Sequence, residues 1–462
     1  MLTMIPKQAR ERLKDIYPQD AISHQAEDLV AYGFDAAAIA PESAPEMVAF
    51  PTETGQISAT LKLANEFGFP VTARGAGTGA VGAAVPVHKG LALVMTRMNR
   101  ILEIDRDNLT ALVEPGVVTG KLQEEVEKLG LFYPPDPSSL HVSTLGGNVA
   151  MGSGGPRAVK YGVTRDYVLG LEVVFADGSI VATGAQTMKS VVGYDLTRLM
   201  VGSEGTLGIV TRIRLRLIPK PETVMTATAS FAQVSQAARA VAAITSARII
   251  PCALELMDRG SVEAVEKLLQ AGLPAASLLL IETDGPKEQA SMEMSRIEGI
   301  LREHGAEGVK TASTRKDRDL LWKARRSMSQ ATSRMAPNKI NEDVTVPRSR
   351  IPDLISRLEA LSEKTGAPII SFGHAGDGNM HVNILTDKRD EKRYAQALKT
   401  VEDVFRITLE LGGTLSGEHG IGLAKAKYIE SEIGERGVEI IRAIKKLFDP
   451  NNILNPGKII PE

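Results

Sequence analysis

At 462 residues the chain exceeds what one hydrophobic core usually serves, so two or three domains are expected. Its 54 Lys and Arg nearly balance 56 Asp and Glu, and 43% of residues are hydrophobic. This excludes a strongly basic nucleic-acid or anionic-membrane surface and fits an ordinary globular protein. Cys252 is the one cysteine, which excludes disulfides within the chain and a cysteine-ligated iron–sulfur cluster of its own.

Met1 to Asp20 mixes charged with apolar residues and lacks the apolar centre of a signal peptide. The stretch Ala240 to Leu256 is broken by Arg248 and Pro251, so no transmembrane run is expected. The expected location is cytoplasmic, with any membrane attachment made through a partner. Residues 1–45 read as short helices ending in a Pro- and Ala-containing loop. Helical spacing over Pro51 to Phe69, with Thr52 or Thr54 as cap, leads into the strand Val71 to Arg74. Further strands are expected at Leu91 to Met95, Ile101 to Ile104 and Leu109 to Val113, then a helix at Gly120 to Leu129. The strand Ile209 to Ile218 stops at Pro219-Lys-Pro-Glu222, a linker signal. Beyond it, strands at Val224 to Phe231 and Ala276 to Glu282 alternate with helices at Val234 to Ser246, Ser261 to Gln270 and Lys287 to His304. That half reads as an α+β domain with helices laid over one sheet. The divisions expected are a helical segment at 1–45, a first domain at 46–220, a second at 221–425 and a terminal segment at 426–462.

Two regions carry chemistry. The first is Gly75-Ala-Gly-Thr-Gly-Ala-Val-Gly82, which contains G-x-G-x-x-G after a strand. A Rossmann site needs a helix to begin there, but Pro86, Lys89 and Gly90 follow and no helical period survives them. The loop can instead cradle phosphate oxygens through consecutive backbone amides. The second is Ser371 to Asn383, where two apolar runs flank Asp377-Gly378, a hairpin signal. A hairpin closed there brings His374 and His381 opposite each other, an arrangement that suits a divalent metal. Glu418 and His419, in Ser416-Gly-Glu-His-Gly-Ile-Gly422, are further candidates. The blander alternative is that these are satisfied loop residues.

Several motifs together are similar to a known family. Arg74-Gly-Ala-Gly-Thr-Gly79, Tyr133-Pro-Pro-Asp-Pro137, Thr144-Leu-Gly-Gly-Asn148, Lys160-Tyr-Gly162 and Gly202-Ser-Glu-Gly-Thr-Leu-Gly208 resemble the FAD domain of the vanillyl-alcohol-oxidase/p-cresol-methylhydroxylase superfamily. Gly373-His-Ala-Gly-Asp-Gly-Asn379, Ser416-Gly-Glu-His-Gly420 and Leu454-Asn-Pro-Gly-Lys458 narrow the resemblance to FAD-dependent D-2-hydroxyacid dehydrogenases. It implies an α+β protein with a two-part FAD-binding domain, an α+β cap domain with an antiparallel sheet, and a terminal segment returning to the FAD site.

Carried over by position, the resemblance puts Ala73, Arg74, Gly75, Ala76, Gly77, Thr78, Gly79 and Gly82 around the FAD pyrophosphate. It puts Pro135, Asp136, Ser143, Thr144, Gly146, Gly147, Asn148 and Gly154 along the flavin, and Glu204, Gly205 and Ile209 near the adenine-ribose side. Asn455 joins the cofactor set. His374, His381 and Glu418 match metal ligands, for zinc, manganese or iron. His419 matches the catalytic base, Asn383 a residue at the substrate, and Arg325 an arginine that clamps the substrate carboxylate. Thr78 stands where covalently flavinylated members commonly carry His, so the FAD is expected to be non-covalent. Asn341-Glu-Asp343 stands near where some 2-hydroxyglutarate-specific relatives carry lysine, which weakens the case for a dicarboxylate, although Lys339 is close by.

The implied activity is oxidation of a D-2-hydroxy acid (D-lactate, glycolate or D-2-hydroxyglutarate) to the 2-oxo acid, with hydride passing to flavin N5. Electrons would then pass to a separate acceptor: an iron–sulfur subunit, an electron-transferring flavoprotein or a quinone. A homodimer is left open. The competing readings are a metallohydrolase using the His/His/Glu set, which leaves the first 220 residues without a purpose, and a non-catalytic flavin-binding subunit.

Overall fold

The computed structural model describes residues 4–38 and 43–461. Residues 39–42 of the expected Pro- and Ala-containing loop lie outside the described residues. The chain folds as two compact units, one of residues 1–154, 163–220 and 418–462, the other of residues 155–162 and 221–417.

In the first unit, the parallel strands Met47–Ala49, Leu91–Val94 and Val71–Arg74, with Ile22–Ser23 antiparallel at one edge, form a four-stranded sheet. Helices Lys7–Ile16 and Thr54–Phe67 bury Leu13, Ile57, Leu61 and Ala64 in one core with Met47, Val71, Leu91 and Leu93. The sequence reading put a threonine at the start of Thr54–Phe67. The N-cap is instead Glu53, with no side-chain cap bond; Thr54 is the first helical residue, and its Oγ1 donates to Glu172 at 2.8 Å. After Arg74, residues 75–90 form turns and extended loop without a helix, so the glycine loop is not a Rossmann turn. A five-stranded antiparallel sheet follows, in the order Ile101–Asp105, Thr110–Val113, Ile209–Arg216, Val168–Val174, Ile180–Gly184. After helix Ile429–Phe448 the chain returns to the first sheet: Val71 N–H donates to the Ile453 carbonyl and Asn455 N–H to the Val71 carbonyl.

The second unit is built on a seven-stranded, wholly antiparallel sheet. Its order is Gly308–Thr311, Thr223–Phe231, Ser277–Gly285, Ala253–Met257, Ile369–His374, Asn379–Thr386, Asn338–Thr345. Side chains alternate across a strand, so Asn379, His381 and Asn383 share one face while Met380, Val382 and Ile384 take the other. Helices Val234–Ser246, Lys287–Glu303, Ile351–Thr365 and Glu391–Glu410 form a continuous layer. That layer covers the apolar face, where Thr283 Oγ1 donates to the Ala290 carbonyl. Helices Arg259–Leu269, Arg315–Arg326 and Met328–Thr332 lie on the opposite face, burying Val262, Trp322 and Met328 with Met257, Leu278 and Phe372.

Candidate active site

In the first unit the glycine loop leaves no room for a side chain at two of its positions. A Cβ on Gly75 would lie 2.1 Å from Thr144 Oγ1, and one on Gly77, at φ +73°, would lie 2.0 Å from Arg74 Nη2. The Arg74 guanidinium donates to the Tyr32 and Phe34 carbonyls at 3.1 Å and stacks over the Tyr32 ring, which fixes the mouth of the loop. Opposite, Thr144 caps Leu145–Met151 through Gly147 N–H at 3.3 Å. Asn148 Nδ2 donates to Thr119 Oγ1, which pairs with Ser143. Asn455 is buried, and its amide donates to the Ala83 and Glu204 carbonyls at 2.9 and 2.7 Å, tying the terminal segment to the loop. Thr78 is exposed, whereas Pro135, Asp136, Ser143, Thr144 and Asn148 are buried. Ile209 packs in the core with Val174 and Leu454, so its side chain is committed there.

Glu204 has a role the sequence did not reveal. It sits in the left-handed region at φ +54° and its carboxylate accepts the Ile421 and Gly422 amides at 2.7 and 2.8 Å. Burial raises the carboxyl to about 7, against the opposing pull of these amides and of Lys458 and Lys425. The loop it grips carries His419, whose Nε2 is 4.0 Å from Glu418 Oε1. Gly420, at φ +85°, has no room for a Cβ beside Met151 and Glu204.

In the second unit, the polar sheet face gathers the candidate substrate and metal residues. His374 and His381 are both buried, with ring centroids 5.3 Å apart and planes at 84°. They are not opposite each other as the hairpin reading required. His381 pairs with Phe372 and His374 with Asn379, so the imidazoles meet on a diagonal of the same face. Arg325 is 3% exposed, so it is a buried charge and not a solvated one. Its Nε donates to Glu255 Oε2 at 2.6 Å, and the guanidinium stacks over Phe372. The Nε–H is therefore taken, and the guanidinium carries further N–H donors besides it. Asn383 is fully buried; its Nδ2 donates to the Ile370 and His381 carbonyls, and its Oδ1 has no hydrogen-bond partner among the described residues.

Two acids in this unit were missed from sequence. Glu255 also accepts from His374 Nδ1, at 2.8 and 2.9 Å to its two oxygens. Burial pushes its carboxyl up, but Arg325 and His374 outweigh that and the net shift is downward. Asp343, in register with His381, accepts from Gly417 N–H at 2.8 Å and from Ser416 Oγ at 3.1 Å. It thereby fixes the residue bonded directly to Glu418. A lone Glu inside the apolar strand Ala253–Met257 was the available signal for Glu255. The donor set of two buried imidazoles, one backed by a carboxylate at Nδ1, fits a divalent cation.

The fold is that of a PCMH-type flavoprotein. Residues 45–184 match the family "FAD binding domain" and residues 220–459 match "FAD linked oxidases, C-terminal domain". The chain belongs to the FAD-linked oxidases and is an FAD-linked oxidoreductase. It is 44% identical to the "Glycolate oxidase subunit GlcD" of Bacillus subtilis, over 99% of this chain and 97% of that protein. It is 36% identical to a D-lactate dehydrogenase of Anaerostipes hadrus, over 97% and 96%. A structure of p-cresol methylhydroxylase with substrate bound superposes with a TM-score of 0.83 at 18% identity, covering 98% of this chain and 96% of that one. Among the described residues no helix is long and apolar enough to cross a membrane.

Proposed function

We propose that the protein oxidises a small D-2-hydroxy monocarboxylic acid, of the glycolate or D-lactate kind, to its 2-oxo acid. The observation that carries this is the buried constellation of Arg325, His374, His381 and Asn383 on one sheet face of an FAD-linked oxidase. Bound FAD supplies the two-electron acceptor that side chains lack. The non-covalent attachment expected for it is supported by Thr78, which offers no imidazole at the cradle. Arg325 binds the substrate carboxylate in two parallel hydrogen bonds. Asn383 orients the substrate, and His419 takes the hydroxyl proton. His374, His381 and Glu418 would hold zinc, manganese or iron, whose charge would make that hydroxyl more acidic. Electrons then leave to a separate acceptor, for which the word "subunit" in a relative's name favours a partner protein.

Lys339 argues for a monocarboxylate. It lies on the same face of its strand as Asn341, and its three donors already have three acceptors: the Ser329 carbonyl, Ser329 Oγ and Thr332 Oγ1, at 3.0–3.2 Å. A second substrate carboxylate would have to displace these bonds. The test is turnover with an artificial electron acceptor. Glycolate or D-lactate should exceed D-2-hydroxyglutarate in kcat/KM by at least about tenfold, the worth of about 1.4 kcal/mol in differential binding. A preference for the dicarboxylate would refute the substrate class.

A further inference from the structure

We infer that Glu255 is a positioning residue: it decides which nitrogen of His374 is offered to a cation, and it holds the guanidinium of Arg325 for the substrate. The inference rests on the proposed metal reading of His374. Glu255 is fully buried in the strand Ala253–Met257, whose other members are apolar. A carboxylate in such a place is costly unless paired, and an apolar side chain of similar volume would commonly serve stability as well or better. Its partners explain its presence. Arg325 lies 2.6 Å from Oε2 through both Nε and Nη2 and keeps the group ionised. An ionised carboxylate can only accept, so the His374 Nδ1 at 2.8 and 2.9 Å must carry the proton. The imidazole is then the tautomer whose Nε2 holds the lone pair. The same carboxylate makes its guanidinium contacts through Nε and Nη2, directing the remaining N–H donors elsewhere. One residue thus orders both a candidate ligand and a candidate anion clamp.

The experiment uses the full-length, FAD-loaded protein stripped of metal and titrated with Zn²⁺ against a chromophoric chelator. Glu255→Gln keeps the volume but offers one acceptor oxygen where the carboxylate offers two. It should bind Zn²⁺ about 10–100-fold more weakly, the usual cost of losing a residue that backs a metal-bound histidine, with the flavin spectrum unchanged. Glu255→Asp keeps the charge beside Arg325, and with it the fold, but draws the acceptor back from Nδ1. It should also lose Zn²⁺ affinity and raise KM for D-lactate more than it lowers kcat. Folded variants with wild-type Zn²⁺ affinity and KM would overturn the inference. So would a Glu255→Asp protein that cannot fold, since that makes Glu255 a stability element only. His374→Ala separates the role of Glu255 from metal binding by His374 itself. If wild type takes up no Zn²⁺, or His374→Ala binds it equally well, the metal reading itself fails and the role of Glu255 falls with it.

Discussion

The adjacent pair Glu418 and His419 poses the sharpest question of assignment, because either side chain can accept a proton. A carboxylate on a divalent cation has its lone pairs engaged and its basicity lowered, whereas an imidazole off the metal keeps a ring nitrogen able to accept a proton. His419→Asn should therefore keep FAD and metal while flavin reduction slows by about 10²–10⁴-fold, the usual worth of general-base catalysis. Glu418→Gln should lose metal. Metal content and anaerobic reduction rate, measured together on both variants, decide it; a metal-depleted His419→Asn beside a metal-replete, inert Glu418→Gln reverses the roles. Glu204, which grips the same loop, carries a pH signature. Its folded-state carboxyl lies at about 7 against an ordinary 4.5, mainly through burial. The folded state therefore holds the extra proton, and the stabilisation is full below pH 4.5 and is lost as pH rises through about 7. Wild type should lose thermal stability relative to Glu204→Gln between pH 5 and pH 8. A difference in Tm that stays flat across that range would contradict the buried, proton-holding carboxyl.

At the scale of elements, the hairpin Ile369–His374 and Asn379–Thr386 sets the geometry of the histidines, and its turn depends on Gly378. That glycine has φ +95°, and a Cβ there would lie 2.0 Å from the Val346 carbonyl oxygen. Gly366 also has positive φ, +64°, but a Cβ there meets nothing within 4 Å. Gly366→Ala should thus cost roughly 1 kcal/mol, and Gly378→Ala clearly more, on the order of 3 kcal/mol or above, since it adds a backbone clash to the strain. Equal costs by chemical denaturation would show that the turn is not so constrained. Both hairpin strands and the turn were legible in the sequence, as apolar runs around Asp377-Gly378, and so were the helices from Val234 to His304, because periodicity is local information. The register was not. Turn geometry sets it, and it moved His381 from facing His374 to facing Phe372. Glu255 was missed for a related reason: its place as the lone acid of an apolar strand was a local signal, but the partners that give it a role stand 70 and 119 residues away. Glu204 was read as a cofactor residue from its motif, and its grip on residues 217 and 218 positions distant was invisible.

At the scale of the whole molecule, the chain divides its chemistry. The first unit contains the glycine loop and His419, and the second contains Arg325 and the two buried imidazoles. Membership of the FAD-linked oxidases accounts for the first half of the chain, which a metallohydrolase would leave without a role. A passive flavin-binding subunit would have no need of the buried Arg325, Asn383 and histidine pair. The central claim is that this chain itself removes two electrons from a D-2-hydroxy acid. Anaerobic mixing of the FAD- and metal-loaded protein with single 2-hydroxy acids, followed by flavin absorbance, tests it most directly. Glycolate and D-lactate should bleach the flavin within turnover time, and L-lactate should leave it yellow. A flavin that stays oxidised with every 2-hydroxy acid, or that L-lactate bleaches as fast as D-lactate, would contradict the account.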